Sequence, residues 1–216
     1  MTPGARRPAR LGRACRAFGV VGCTAAALAV FPVAARPATA EIARPASTDV
    51  RIFTPLVGAK LATGLTASAP AIGECFAGSL ASQGRSDAWR CSAGNLILDP
   101  CFESQPPGGP LLACASAPWS AQVRLLKLSK PVPQAQANRG ELQSAQPWAI
   151  ELADGARCTF LTGATTALAD MRLNYGCPGG VDIFGDVDRA RPLWRVFERR
   201  AGAAVTRQVD VLAAWF

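Results

Sequence analysis

Trp148-Ala149-Ile150-Glu151-Leu152-Ala153-Asp154-Gly155-Ala156-Arg157-Cys158-Thr159-Phe160 is the stretch whose reading decides the fold. Apolar residues recur at every second position on both sides of Asp154-Gly155, which is the signature of two half-buried strands joined by a tight turn. A two-residue loop at Asp154-Gly155 would set Ile150 against Thr159 and Glu151 against Cys158, mixing apolar and polar faces. With a three-residue loop, Ala153-Asp154-Gly155, and a left-handed Gly155, Trp148 meets Phe160, Ile150 meets Cys158 and Glu151 meets Arg157. One face is then apolar and the other carries an ion pair, so the three-residue loop is predicted.

Other segments repeat this pattern. Met171-Arg172-Leu173-Asn174-Tyr175-Gly176-Cys177 alternates, with Met171, Leu173, Tyr175 and Cys177 on one face. Val123 to Leu128 reads as a strand ended by Pro131 and Pro133. Val50 to Phe53, Leu56 to Leu65 and Val181 to Phe184 are short strand candidates. Leu193 to Arg199 and Val205 to Leu212 form a hairpin candidate around Ala201-Gly202. Trp215-Phe216 is expected to dock on the core, because two large free aromatics would be a liability. The expectation is a mainly β protein: a small antiparallel sheet, barrel or sandwich with a loop-rich N-terminal half.

Six cysteines lie beyond the first forty residues: Cys75, Cys91, Cys101, Cys114, Cys158 and Cys177. Neighbours are separated by 15, 9, 12, 43 and 18 residues, so none has the spacing of a zinc knuckle or a redox motif. The chain has no histidine. Neither a metal nor any other cofactor is expected. Six cysteines allow fifteen pairings, and sequence alone does not choose among them. The hypothesis is sequential pairing, Cys75 with Cys91, Cys101 with Cys114 and Cys158 with Cys177, which closes three short loops, each worth about 3 kcal/mol in the chain-entropy model.

Arg6, Arg7, Arg10, Arg13 and Arg16 precede an uncharged run from Ala17 to Ala35, and Ala38-Thr39-Ala40 offers a small-x-small cleavage site. This reads as a secretory signal over residues 1–40 with a mature start at Glu41, leaving no stable membrane span. Val20-Val21-Gly22-Cys23 is a weaker, lipobox-like alternative. A flexible lead-in is expected over 41–49, followed by one domain over 50–216, with 50–133 and 148–216 as possible lobes either side of a polar loop.

The formal charge of +8 is largely that of the leader, which holds six arginines and no acidic residue. The remainder carries seventeen Lys+Arg against fifteen Asp+Glu, a net of +2, which removes most of the support for nucleic-acid binding.

Gly84-Arg85-Ser86-Asp87-Ala88 echoes a serine-hydrolase elbow, but no histidine base exists, and a turn is expected there. Trp89, beside Cys91, is expected to be a core aromatic packed on a disulfide. The run Arg85-Ser86-Asp87-Ala88-Trp89-Arg90-Cys91, with Gly94-Asn95 and Asp99-Pro100-Cys101-Phe102, resembles a pattern in uncharacterised exported proteins of actinobacteria and other bacteria. The resemblance continues through Trp148 to Cys177. It implies an envelope or extracellular location and transfers no activity or site residue.

The functional expectation is an exported, non-catalytic binding or envelope-associated protein whose partner is an anionic envelope polymer or another extracellular protein. Arg195, Arg199 and Arg207, near Arg200 on the last hairpin, are the candidate patch. The alternatives are an inhibitor of an extracellular enzyme and a secreted glycan hydrolase. A hydrolase would need two carboxyl groups about 5–10 Å apart, for which Asp99 with Glu103, or Asp186 with Asp188, are the candidates. Asp182, Asp186 and Asp188, beside Arg189 and Arg191, lack the spacing of a calcium loop and are expected to be solvated or paired.

Intact-mass measurement before and after reduction tests the export and cysteine readings together. The expected species begins at Glu41 and gains about 6 Da on reduction. Lipid mass on Cys23, or free thiols, would overturn them.

Overall fold

The computed structural model describes residues 45–104, 107–133, 141–142 and 144–216. The leader, its cleavage site at Ala40-Glu41, Cys23 and the first part of the lead-in lie outside the described residues, as do residues 134–140 and 143 of the long polar loop.

The Trp148–Phe160 hairpin folds in the expected register. Ala149 faces Thr159, Ile150 faces Cys158 and Glu151 faces Arg157. Leu152 N–H donates to the Ala156 carbonyl, closing the three-residue loop, in which Gly155 has φ +84°. Arg157 Nε lies 3.1 Å from Glu151 Oε2, as the face assignment requires. One detail differs. Ala149, on the nominally polar face, is fully buried, because a second sheet covers that end of the hairpin.

The strands, in chain order, are β1 (Asp49–Arg51), β2 (Leu56–Val57), β3 (Lys60–Leu61), β4 (Thr66–Ala67), β5 (Ala71–Gly78), β6 (Ala88–Ala93), β7 (Leu96–Glu103), β8 (Leu111–Cys114) and β9 (Gln122–Leu128). They are followed by β10 (Ala149–Leu152), β11 (Arg157–Phe160), β12 (Ala167–Leu168), β13 (Met171–Cys177), β14 (Val181–Asp188), β15 (Trp194–Arg200) and β16 (Arg207–Trp215). Ala43–Phe216 forms a single compact unit.

Two small rings of strands result. Strands β5 to β8 run as an antiparallel meander, and β9 returns to pair with β8 antiparallel and β5 parallel, closing the first ring. The second ring runs β10-β11-β13-β14-β15-β16 and closes where β16 pairs with β10. Closure pairs most of the edges that an open sheet of this size would present, except where neighbouring strands differ in length. The turn-rich N-terminal half thus strings its loops around a ring of its own.

All three cysteine pairs form as expected, Cys75–Cys91, Cys101–Cys114 and Cys158–Cys177. Cys75 faces Cys91 across β5 and β6, and Cys101 faces Cys114 across β7 and β8. Each of these staples therefore joins residues that the ladder already holds opposite each other.

Three buried clusters follow from the alternation. Trp89, Leu112 and Leu126 surround the two N-terminal disulfides inside the first ring, so Trp89 is the core aromatic expected from its place beside Cys91. Ile150, Leu152, Tyr175, Ile183, Val196 and Phe216 fill the second ring together with Cys158 and Cys177. Between the rings, Phe102, Ala113 and Val123 meet Trp148, Ala149 and Trp215. Phe53 and Phe102 lie edge-on, their centroids 5.4 Å apart, and Trp148 approaches both at 5.5 and 5.7 Å. Trp215 and Phe216 are both buried, the docking expected of them.

Three local features go beyond the sequence pattern. The lead-in ends before Thr48, whose hydroxyl donates to the Val211 carbonyl at 2.7 Å and whose N–H donates to the Pro192 carbonyl, while Asp49 opens β1. β1 pairs parallel with β16, so the first strand of the described residues joins the possible lobe 148–216. In β13 the alternation breaks between Leu173 and Tyr175, where a bulge buries Asn174, whose amide donates to the Gly185 carbonyl and to Asp186.

The loop between β5 and β6 supplies a buried cation. Arg85, 7% exposed, pairs with Asp87 through Nε at 2.8 Å and Nη2 at 2.5 Å. Its Nη1 donates to the carbonyls of Phe53 and Phe216, and the guanidinium lies 4.7 Å above the Phe102 ring. Arg85→Met leaves Asp87 without this partner in a half-buried position and should cost about 3–5 kcal/mol in urea unfolding. Arg85→Met combined with Asp87→Leu should recover part of that loss, and a single-variant loss under about 1 kcal/mol would contradict the role.

Candidate functional site

A cleft of about 730 Å³ is the open mouth of the first ring. Its walls are the end of β4 with Ser68, the first half of β7 at Ile97, Leu98 and Asp99, the end of β8 running into Ser116, and the start of β9 at Gln122 and Arg124. Strand order explains the opening. β8 stops at Cys114, which faces Cys101, so Leu96 to Asp99 of β7 have no strand on that side.

Arg124 gives the mouth its charge. It faces Cys114 across the ladder and, by the two-residue period of β9, shares a face with Leu126 and Leu128, which pack inside the ring. Val123 and Leu125 point the other way, into the cluster between the rings. Arg124 therefore occupies an inward-facing row at its open end, where it remains exposed. No hydrogen bond or ion pair engages its side chain among the described residues. The hydroxyls of Ser68 and Ser116 nearby are likewise without a partner there, whereas those of Thr66 and Ser120 are bonded to the Ala121 and Gln122 carbonyls.

Asp99 is the one carboxylate of the cleft, and its oxygens are already engaged. Ser79 Oγ donates to Oδ1 at 2.6 Å, and the Leu80 N–H donates to Oδ2 at 3.1 Å. Burial pushes its pKa up, against the opposing pull of Ser79, the Leu80 and Ala81 N–H groups and the charge of Arg90. Asp99 is thus a staple for the loop that follows β5.

The remaining expected site residues lie elsewhere. Glu103 is buried on β7 opposite Leu112, away from the cleft lining. Asp186 and Asp188 lie on β14, not in a loop, because Gly185, at φ +73°, carries the strand past Phe184. Asp186 accepts from Asn174, and Asp188 accepts from the Ala190 N–H at 2.9 Å. Neither carboxylate pair comes together in the cleft.

The arginines of the last hairpin are paired. Arg195 Nε is 3.0 Å from Asp210, and Arg199 Nη2 is 2.9 Å from Asp182. Arg207 faces Glu198 in the ladder and reaches it at 2.9 Å, and both Arg200 and Arg207 also contact Asp154. Arg189, expected beside aspartates, instead donates to the carbonyls of Leu142 and Ala145 and stacks 4.5 Å from Trp194. Among the described residues, no group of three or more His, Cys, Asp or Glu side chains could hold a metal ion.

Arg124 and the mouth around it were missed in sequence. The one available signal was a cation at the same parity as Leu126 and Leu128, and it could not be read without knowing which face of β9 lines a ring. No family model matches the chain, and no curated protein or solved structure is significantly similar to it.

The raised pKa of Asp99 fixes a sign. Its folded pKa lies above its unfolded value, so its contribution is fully present at pH below the unfolded pKa. That contribution is lost as pH rises through the folded pKa. The stability difference between wild type and Asp99→Asn, followed by urea unfolding from acid to neutral pH, should therefore shift in the variant's favour as pH rises. A difference independent of pH would contradict the assignment.

Proposed function

We propose that the protein is an exported, non-catalytic binding protein of the cell envelope or extracellular space that receives its ligand at the mouth of the first ring. The observation that carries this reading is the 730 Å³ cleft holding an inward-row arginine with no protein partner among the described residues. Its volume falls in the range of about 300–1,000 Å³ typical of small-ligand sites. Three disulfides are compatible with an oxidising compartment. No helix among the described residues is long and apolar enough to cross a membrane. The basic leader followed by an uncharged run favours the same location.

A secreted hydrolase is the second reading, because Asp99 lines the cleft. It requires a second carboxyl group nearby, and Glu103, Asp186 and Asp188 are not among the lining residues. The paired state of Arg195, Arg199 and Arg207 directs the binding proposal to the cleft instead of the last hairpin.

Ser116→Trp fills the mouth from an exposed position. The mature wild-type protein should co-sediment saturably with envelope fractions of its source cell. The variant should lose most of that binding while its thermal unfolding is unchanged. Equal binding by a folded variant would overturn the reading, and release of product from the envelope material would favour the hydrolase.

A further inference from the structure

The chemistry of the mouth narrows what can enter it, and this step rests on the binding reading above. Asp99 has both oxygens committed to Ser79, Leu80 and Ala81, so the charge left for a ligand is that of Arg124. A guanidinium presents a planar fork of donors that fits a carboxylate through two parallel hydrogen bonds. The wall opposite is backbone and hydrocarbon. Leu96 to Asp99 run extended with no strand on their β8 side, and Ile97 and Leu98 bring aliphatic surface to the cleft. A free strand edge is completed by an extended segment that adds main-chain hydrogen bonds. The hydroxyls of Ser68 and Ser116 lie on the same lining and can bond further ligand oxygens.

We propose that the mouth of the first ring binds the C-terminal end of an extended peptide, with Arg124 taking the terminal carboxylate and the open edge of β7 pairing with the peptide backbone. A peptide C terminus is the ligand class that supplies a carboxylate, an unpaired main chain and small side chains within one cleft. The Cys101–Cys114 bridge fixes the corner at which β8 stops, so the open edge is built in and is not formed on binding.

N-acetyl-trialanine with a free carboxylate, and the same peptide as its C-terminal amide, are the probes. Both are titrated into the oxidised mature protein, followed by calorimetry and by amide chemical shifts. The acid should bind at least about tenfold more tightly than the amide, a difference of about 1.4 kcal/mol, and should shift the amides of Ile97 and Leu98. Arg124→Gln should bring acid and amide to within about twofold of each other by weakening the acid alone. Lys127→Gln, on the other face of β9, should keep the discrimination. Equal affinities in the wild type, discrimination that survives in Arg124→Gln, or no binding of either peptide at millimolar concentration would each overturn the proposal. The envelope co-sedimentation lost in Ser116→Trp stands independently of these outcomes, so a wrong ligand class is distinguishable from a wrong cleft.

Discussion

The two rings are held to one another around a buried cation. A guanidinium removed from water is tolerated only where its donors and charge are answered. Arg85 is answered by Asp87 from its own loop, by the Phe53 carbonyl near the start of the described chain and by the carbonyl of Phe216 at its end. Those three groups belong to segments that nothing local would bring together. The ring of Phe102 beneath the guanidinium then sets the edge-on cluster with Phe53 and Trp148, which is the centre of the apolar contact between the rings. A segment displaced from this junction strips a hydrogen bond from a buried charge, so the segments at Phe53 and Phe216 are held by that charge as well as by their own backbone bonds and by burial of Trp215 and Phe216.

The disulfides act at a different level. Because side chains alternate across a strand, a one-residue slip would turn one cysteine of each facing pair to the opposite side of the sheet. Bridges between facing residues therefore lock the register of β5 with β6 and of β7 with β8. The first ring is small and fills its interior largely with two sulfur bridges, Trp89, Leu112 and Leu126, so register is what its modest core is least able to enforce alone. Sequence alone leaves fifteen pairings open, and the sequential one forms because the bridged strands are neighbours along a meander with short loops between them.

Local order was readable from residues and long-range order was not. The hairpin from Trp148 to Phe160 declared its register, since loop length and face assignment constrain each other within thirteen residues. The bulge at Asn174 was hidden, because it is fixed by bonds to Gly185 and Asp186 on the next strand. Ring closure was hidden for the same reason. The parallel pairing of β9 with β5, and of β1 with β16, joins segments whose alternation states which face is apolar but not which partner covers it. Arg85 read as an ordinary turn residue, its neighbour Asp87 being the only local sign of a pair.

Arginine-rich surfaces invite a reading by count, and pairing changes it. The last hairpin carries the denser cluster, yet each of its cations faces a carboxylate across or along the ladder, and a charge so answered has little left for an anionic partner. Arg124 is a single cation, but β9 has apolar residues at both parities, with Val123 and Leu125 towards the other ring and Leu126 and Leu128 inside its own. Arg124 stands near the start of β9, where its row leaves the apolar interior and opens to the cleft, and it is exposed there. The field of an unanswered charge at a low-dielectric rim is stronger than that of a paired one on an open face. Beyond the leader the charges nearly balance, and at the mouth of the first ring Arg124 is a cation with no hydrogen-bond or ion-pair partner among the described residues.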